Sequence, residues 1–148
     1  MKKIVKKHGV CLLLVLLLLS ACGPSPQMTI QVNNINALVE VASTPQQREK
    51  GLMYRQQLPK DQGLLMIFPE PQQISLWMLN TPIPLAVGFF NKQGRLLKIS
   101  VMFPDGGKTL HHSPPETLYV LEMNQGWFER YGLELGAQLH LPTPVQAK

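Results

Sequence analysis

Few side chains in this sequence combine chemical capability with a setting that would use it, and Glu122 is the foremost of them. It lies in Leu118-Tyr119-Val120-Leu121-Glu122-Met123, where a strand's period of two puts it on one face with Leu118 and Val120. A carboxylate on an apolar face must find a donor or take up a proton, because its charged form is costly to desolvate. Arg55, directly after a short helical stretch, is the expected partner. Such a pair would either fix the helix on a sheet or orient a ligand. The second concentration is Trp77-Met78-Leu79-Asn80-Thr81, with an amide and a hydroxyl beside an indole at a strand end. That is the composition of a pocket rim, and equally of a side-chain-capped turn before Pro82. Trp127 offers a second indole that could stack on a ring or a sugar face. Arg55, Trp77, Asn80, Thr81, Glu122 and Trp127 are therefore the candidate ligand-binding residues.

Other chemistries find less support. Gly106-Gly107-Lys108-Thr109 looks like the end of a phosphate loop, but Met102 stands where its first glycine belongs and no helix pattern follows. His111 and His112 are adjacent and His140 is far along the chain, so no metal-ligand spacing is formed. The methionines, Met53, Met66, Met78 and Met102 among them, read as core filling rather than copper ligands. None of Ser25, Ser43, Ser75, Ser100 and Ser113 lies in Gly-x-Ser-x-Gly. A glycosidase needs two tuned carboxylates, and only Glu122 has an apolar setting. No catalytic set, metal site or cofactor is expected.

The elements that must position these residues are short. Met28–Val32 and Ala37–Ala42 read as strands joined through Asn33-Asn34. Thr44-Pro45-Gln46-Gln47 carries a cap, a first-turn proline and a capping box, and Gly51 ends the helix within two turns. Leu64–Phe68, Ile74–Leu79 and Leu85–Phe90 are apolar runs separated by Pro69, Pro71, Pro82 and Pro84, which suits strand ends. Asn91-Lys92-Gln93-Gly94 reads as a hairpin turn returning through Arg95–Phe103, followed by a loop over Pro104–Pro115. Thr117–Asn124 is a strand, Gln125–Tyr131 a short helix and Gln138–Leu141 a last strand. The pattern predicts a mainly β domain, a compact antiparallel sandwich or barrel of jelly-roll type with one or two short helices.

The amino end reads as an address. Lys2, Lys3, Lys6 and Lys7 precede the apolar run Val10–Leu19 and the small residues around Cys22. This is the pattern of a secretory signal, and its ten apolar residues fall short of the roughly 20 that span a bilayer. Leu19-Ser20-Ala21-Cys22 resembles a bacterial lipobox, which implies acylation of Cys22, with palmitate among the expected chains. Each buried methylene contributes about 0.8 kcal/mol, so several chains would hold the protein on a membrane. Gly23 after the cysteine resembles the sorting signal for the periplasmic face of the outer membrane in Gram-negative cells.

With Cys11 leaving in the signal and Cys22 acylated, no thiol remains for a disulfide, zinc site or nucleophile. The organisation expected is a signal peptide over 1–21, a lipidated tether over 22–27, one β domain over 28–142 and a flexible tail over 143–148. The charge follows the same division. Of the net +5, four positive charges belong to the leader, leaving 10 basic against 9 acidic side chains downstream, a net of +1. A body so nearly neutral has no footprint for phosphate backbones, and nucleic acid is excluded as a partner.

The chain also resembles a bacterial and archaeal family, the domain of unknown function 192, from about Ile30 to Leu141. The resemblance is carried by Val39-Glu40-Val41-Ala42, Thr44-Pro45, Arg48, Gly51-Leu52-Met53-Tyr54-Arg55, Gly63 and Phe68-Pro69. It continues through Trp77-Met78-Leu79-Asn80-Thr81, Ile83-Pro84-Leu85, Val120-Leu121-Glu122 and Gly126-Trp127. It implies a compact β-sandwich or barrel and no established activity. By the same resemblance Ala86 and Ala137 stand where the family usually has aspartate, and Leu79 where it often has a basic residue. Acid–base or metal chemistry through those two carboxylates would be weakened here, whereas binding could survive.

The expected function is a lipid-anchored envelope module that binds a small polar or aromatic ligand without catalysis. The alternatives are an accessory lipoprotein docking a larger envelope complex, and a glycan-acting enzyme with Glu122 as general acid or base.

Overall fold

The computed structural model describes residues 26–148. The expected signal peptide and Cys22, the expected acylation site, lie outside the described residues, as does most of the expected tether. Gln27, expected in the tether, is the first residue of a strand.

Strand β1 (Gln27–Val32) turns at Asn33, which adopts φ 52°, and returns as β2 (Ile35–Ala42). The short helix α1 (Pro45–Lys50) follows, and then β3 (Gln62–Gln72). Strand β4 is only Ser75–Leu76, and β5 (Leu85–Asn91) and β6 (Leu96–Met102) form the expected hairpin. The segment read as a loop contains β7 (His111–His112), which pairs antiparallel with β4 in a small separate ribbon. After β8 (Thr117–Asn124) come α2 (Trp127–Arg130) and β9 (Leu139–His140).

Seven strands form one mainly β sheet in the order β6-β5-β8-β3-β2-β1-β9. It is not wholly antiparallel as expected, because β2 and β3 run parallel, with Leu38 opposite Gln62 and Ala42 opposite Met66. The reason is α1 and the turns after it, which carry the chain back to the end of the sheet where β2 began. The sheet curls into a half-barrel until its two edges touch. There Arg95 bridges Gln138, Leu96 N–H donates to the Ala137 carbonyl at 2.8 Å, and Leu139 N–H to the Gly94 carbonyl at 2.7 Å.

The central strands β3, β5 and β8 are buried on both faces, which is why Leu64–Ile67 and Leu85–Phe90 are continuously apolar. Alternation sends Leu65, Ile67, Ala86, Leu121 and Met123 to one core, which α2 closes with Trp127 and Phe128. Close packing there requires Gly88, since a Cβ on it would come within 2.6 Å of Phe128 Cζ. Leu64, Met66, Val87, Phe89 and Val120 face the second core, completed by Leu52, Ile74 and Met78 from outside the sheet.

The residues after 142, expected to be loose, lie against the fold. Val145 and Ala147 pack on the first core, Lys148 N–H donates to the Ser43 carbonyl at 2.8 Å, and Lys148 O accepts from Arg48 at 3.0 Å. Among the described residues no helix is long and apolar enough to cross a membrane.

Candidate functional site

Residues 44–53 build one wall of the site. Thr44 Oγ1 accepts from Gln47 N–H at 3.3 Å, Gln47 Oε1 accepts from Thr44 N–H at 3.1 Å, and Pro45 opens the helix. Gly51, at φ 48°, ends α1 in a conformation that L side chains resist. The chain then drops Leu52 into the second core. The opposite wall is the excursion between β3 and β5. Its prolines end regular pairing, and the β4–β7 ribbon holds Trp77 beside the opening.

Between these walls lies a cavity of about 210 Å³ over the second core. Arg48, Glu49, Lys50 and Met53 line its α1 side, Phe68, Ser75 and Trp77 the other, with Met66, Leu85 and Glu122 from the sheet. Glu122 is only 6% exposed, opposite Leu64 on β3 and Val87 on β5. Its Oε2 is buried and has no hydrogen-bond partner among the described residues. With no opposite charge to offset desolvation, burial pushes its carboxyl up to about 7. A Cβ at position 51 would lie 3.6 Å from that oxygen, so the end of α1 packs close to the carboxyl.

The expected partnership of Arg55 with Glu122 does not form. Arg55 pairs with Glu40 on β2, and its side chain stays 39% exposed. Glu40, 19% exposed, can be met while the Arg55 guanidinium stays partly in solvent, whereas reaching Glu122 would require desolvating both charges. Trp127 is also away from the cavity. It is fully buried in the first core, with its ring edge-to-face on Phe128 at 5.1 Å and its Nε1 donating to Asp61 at 3.2 Å. Tyr131 donates to the same Asp61 oxygen at 2.7 Å, and this bond, before that of Trp127, draws the Asp61 carboxyl below its ordinary range.

Asn80 is exposed and adopts φ 51°. Its carbonyl accepts from Tyr54 N–H at 2.7 Å and its amide donates to Tyr54 Oη at 2.9 Å, while Tyr54 itself stands at φ 66°. Two residues in a costly backbone conformation thus hold each other beside a second, shallower depression that Pro82 and Pro104 also line. Thr81 is buried between the two hollows and donates to the Leu79 carbonyl at 3.1 Å. Of the six candidates, the fold gathers Trp77, Thr81 and Glu122 at the cavity, and Arg55, Asn80 and Trp127 lie elsewhere.

Other residues at the cavity are not among the six candidates. Arg48 donates to the carbonyls of Ser43 at 2.9 Å and Ile67 at 2.8 Å and lies 4.9 Å over the Phe68 ring. Partial burial lowers its pKa. The signals for it in the sequence are its place among the residues that carry the family resemblance and its position on α1, three residues before Gly51. Ser75 Oγ lies 2.8 Å from His112 Nδ1, a contact that follows from the β4–β7 register across 37 residues of sequence. Among the described residues no carboxylate hydrogen-bonds that imidazole, so the pair lacks the orienting group of a hydrolytic triad. No group of three or more His, Cys, Asp or Glu is placed among the described residues to hold a metal ion. Ala86 and Ala137 both belong to the first core, across the sheet from Glu122. Carboxylates at those two positions would not line this cavity.

The curled mainly β fold is shared with solved structures. The family model for DUF192, described as Uncharacterized ACR, matches residues 28–141, and the chain belongs to this family. A crystal structure from Sinorhizobium meliloti 1021, described as a "putative transcription regulator", is 29% identical with a TM-score of 0.74. The match covers 80% of this chain and 95% of that one. A protein of unknown function from Novosphingobium aromaticivorans DSM 12444 is 26% identical with a TM-score of 0.73, over 82% of this chain and 94% of that chain. No curated protein matches the sequence.

Proposed function

We propose that this protein is a lipid-anchored, envelope-facing module that binds a small polar ligand in the cavity between α1 and the β4–β7 ribbon. The observation that carries the reading is a buried Glu122 oxygen without a partner, in a cavity bordered by the half-exposed Trp77. Buried polar groups are almost always satisfied, so an orphan beside open space asks for a donor from outside. Trp77 would cover the apolar side of the ligand while Glu122 accepts from it. The anchor rests on Leu19-Ser20-Ala21-Cys22, and Gly23 favours the periplasmic face of the outer membrane in a Gram-negative cell. The regulatory description of the Sinorhizobium protein is not extended to this chain, whose body carries a net charge of only +1.

A thermal-shift screen against envelope glycans, amino compounds and nucleotides tests the reading. A ligand at 100 times its Kd should add about 2.7 kcal/mol of stability. The expected shift disappears in Glu122→Gln and shrinks in Trp77→Ala. A silent screen on folded protein overturns the ligand reading in favour of partner docking.

One observation favours a second reading. A carboxyl pushed up to about 7 suits a general acid at neutral pH, and Glu49 brings another carboxylate to the same cavity. Hydrolysis of envelope glycans that Glu122→Gln abolishes would establish it, and turnover surviving that change would dismiss it.

A further inference from the structure

The ligand reading leaves open what kind of group meets Glu122, and the charges around the cavity bear on that. Two arginines on or just after α1 are candidates to neutralise the carboxylate, Arg48 in the cavity wall and Arg55 a few residues further along the chain. Neither does. Arg55 is committed to Glu40. Arg48 turns its guanidinium to the main-chain oxygens of Ser43, Ile67 and Lys148 and lies over Phe68. The fold therefore directs both guanidiniums to oxygens other than those of Glu122. The remaining charged groups on the cavity wall, Glu49 and Lys50, are exposed residues of α1, while β3, β4, β5 and residues 77–81 bring none. An ammonium at Oε2 would meet the inner carboxylate directly, with the Trp77 face beside it as a second cation acceptor.

We propose, building on the binding reading above, that the cavity takes the protonated-amine end of a small organic molecule, with an N–H of the ammonium donated to Glu122 Oε2 and the adjoining carbon skeleton laid against Trp77. The volume of about 210 Å³ equals that of roughly seven waters, room for the amine-bearing end of a ligand. The apolar or polar remainder extends past Ser75 and Lys50 to solvent.

A matched pair of probes separates charge from shape: 2-phenylethylamine, cationic from pH 5.5 to 8, and the neutral 2-phenylethanol. Their Kd values are measured by titration calorimetry on the full chain at both pH values. The amine binds only when Glu122 is ionised, so with a carboxyl near 7 its Kd is expected to be roughly 30-fold tighter at pH 8 than at pH 5.5. The alcohol is expected to bind more weakly at pH 8 and to show no such dependence. Glu122→Gln, which removes the charge and keeps the shape, is expected to abolish the pH dependence while the variant stays folded. A ¹³C titration of the Glu122 carboxyl provides a second readout, with its midpoint falling when the amine is present.

If amine and alcohol bind equally and both are lost in Glu122→Gln, the cavity is a ligand site and the ammonium assignment is wrong. If amine binding survives Glu122→Gln unchanged, or the Glu122 midpoint does not move, the assignment is likewise overturned. Failure of both probes at both pH values also ends it, while the broader screen decides the binding reading independently.

Discussion

The two cores share the three central strands β3, β5 and β8, yet they are built to different ends. On one face, α2 closes over Gly88 with Trp127 and Phe128, and the polar tip of Trp127 is satisfied by Asp61. On the other, α1 ends at Gly51 before it covers the sheet, leaving a cavity with a carboxyl at its inner end. One residue step along β8 separates Leu121, wholly apolar in its surroundings, from Glu122. The sealed face supplies the stability that lets the open face carry an orphaned polar group.

Trp127→Ala should give the largest effect, a loss of about 3–5 kcal/mol, because it empties the middle of the sealed core and leaves Asp61 with one donor fewer. Chemical denaturation would measure it, and a loss under 1 kcal/mol would break the contrast between the faces.

Glu122→Gln comes next and acts in the opposite direction. The carboxyl's folded value of about 7 lies above its unfolded value of 4.5, so the folded state binds the extra proton between them. The Glu122 contribution is therefore fully present below pH 4.5 and is lost as pH rises to about 7, on the order of 3 kcal/mol in all. The variant should lack that pH dependence and be more stable than the parent at pH 8. Stability curves from pH 4 to 8 would sharpen the comparison, and parallel curves would refute it.

The smallest effect is expected from Arg55→Ala, below about 1 kcal/mol, since its pair with Glu40 is partly exposed. It should leave the Glu122 titration unmoved, which NMR of the carboxyl can check.

How far the sequence carried depends on whether a feature is local. The cap at Thr44, the stop at Gly51, the Asn91–Gly94 turn and the strand Thr117–Asn124 follow from nearest neighbours, and each is present in the fold. The anomalous apolar setting of Glu122 was visible for the same reason. Its partner was not, because choosing between Glu40 and Glu122 depends on which carboxylate remains wet after strands from distant parts of the chain have assembled. Trp127 illustrates the converse error. An indole reads as a stacking surface in sequence, whereas the curl of the sheet makes it the centre of a core. The parallel β2–β3 pair and the β4–β7 ribbon were equally hidden, since register between short strands is set by what else packs around them.

The meeting of the sheet's edges has a kinetic consequence. Strand β9 lies against β1, the first strand, and continues to the start of β6, so the edges are joined by segments far apart in the described residues. Local hairpins can form early, but closure must wait until residue 140 has been synthesised. Pairing of this separation is slow, typically milliseconds to seconds. Until that segment arrives the sheet keeps two open borders, and only then do β1 and the start of β6 acquire their shared neighbour.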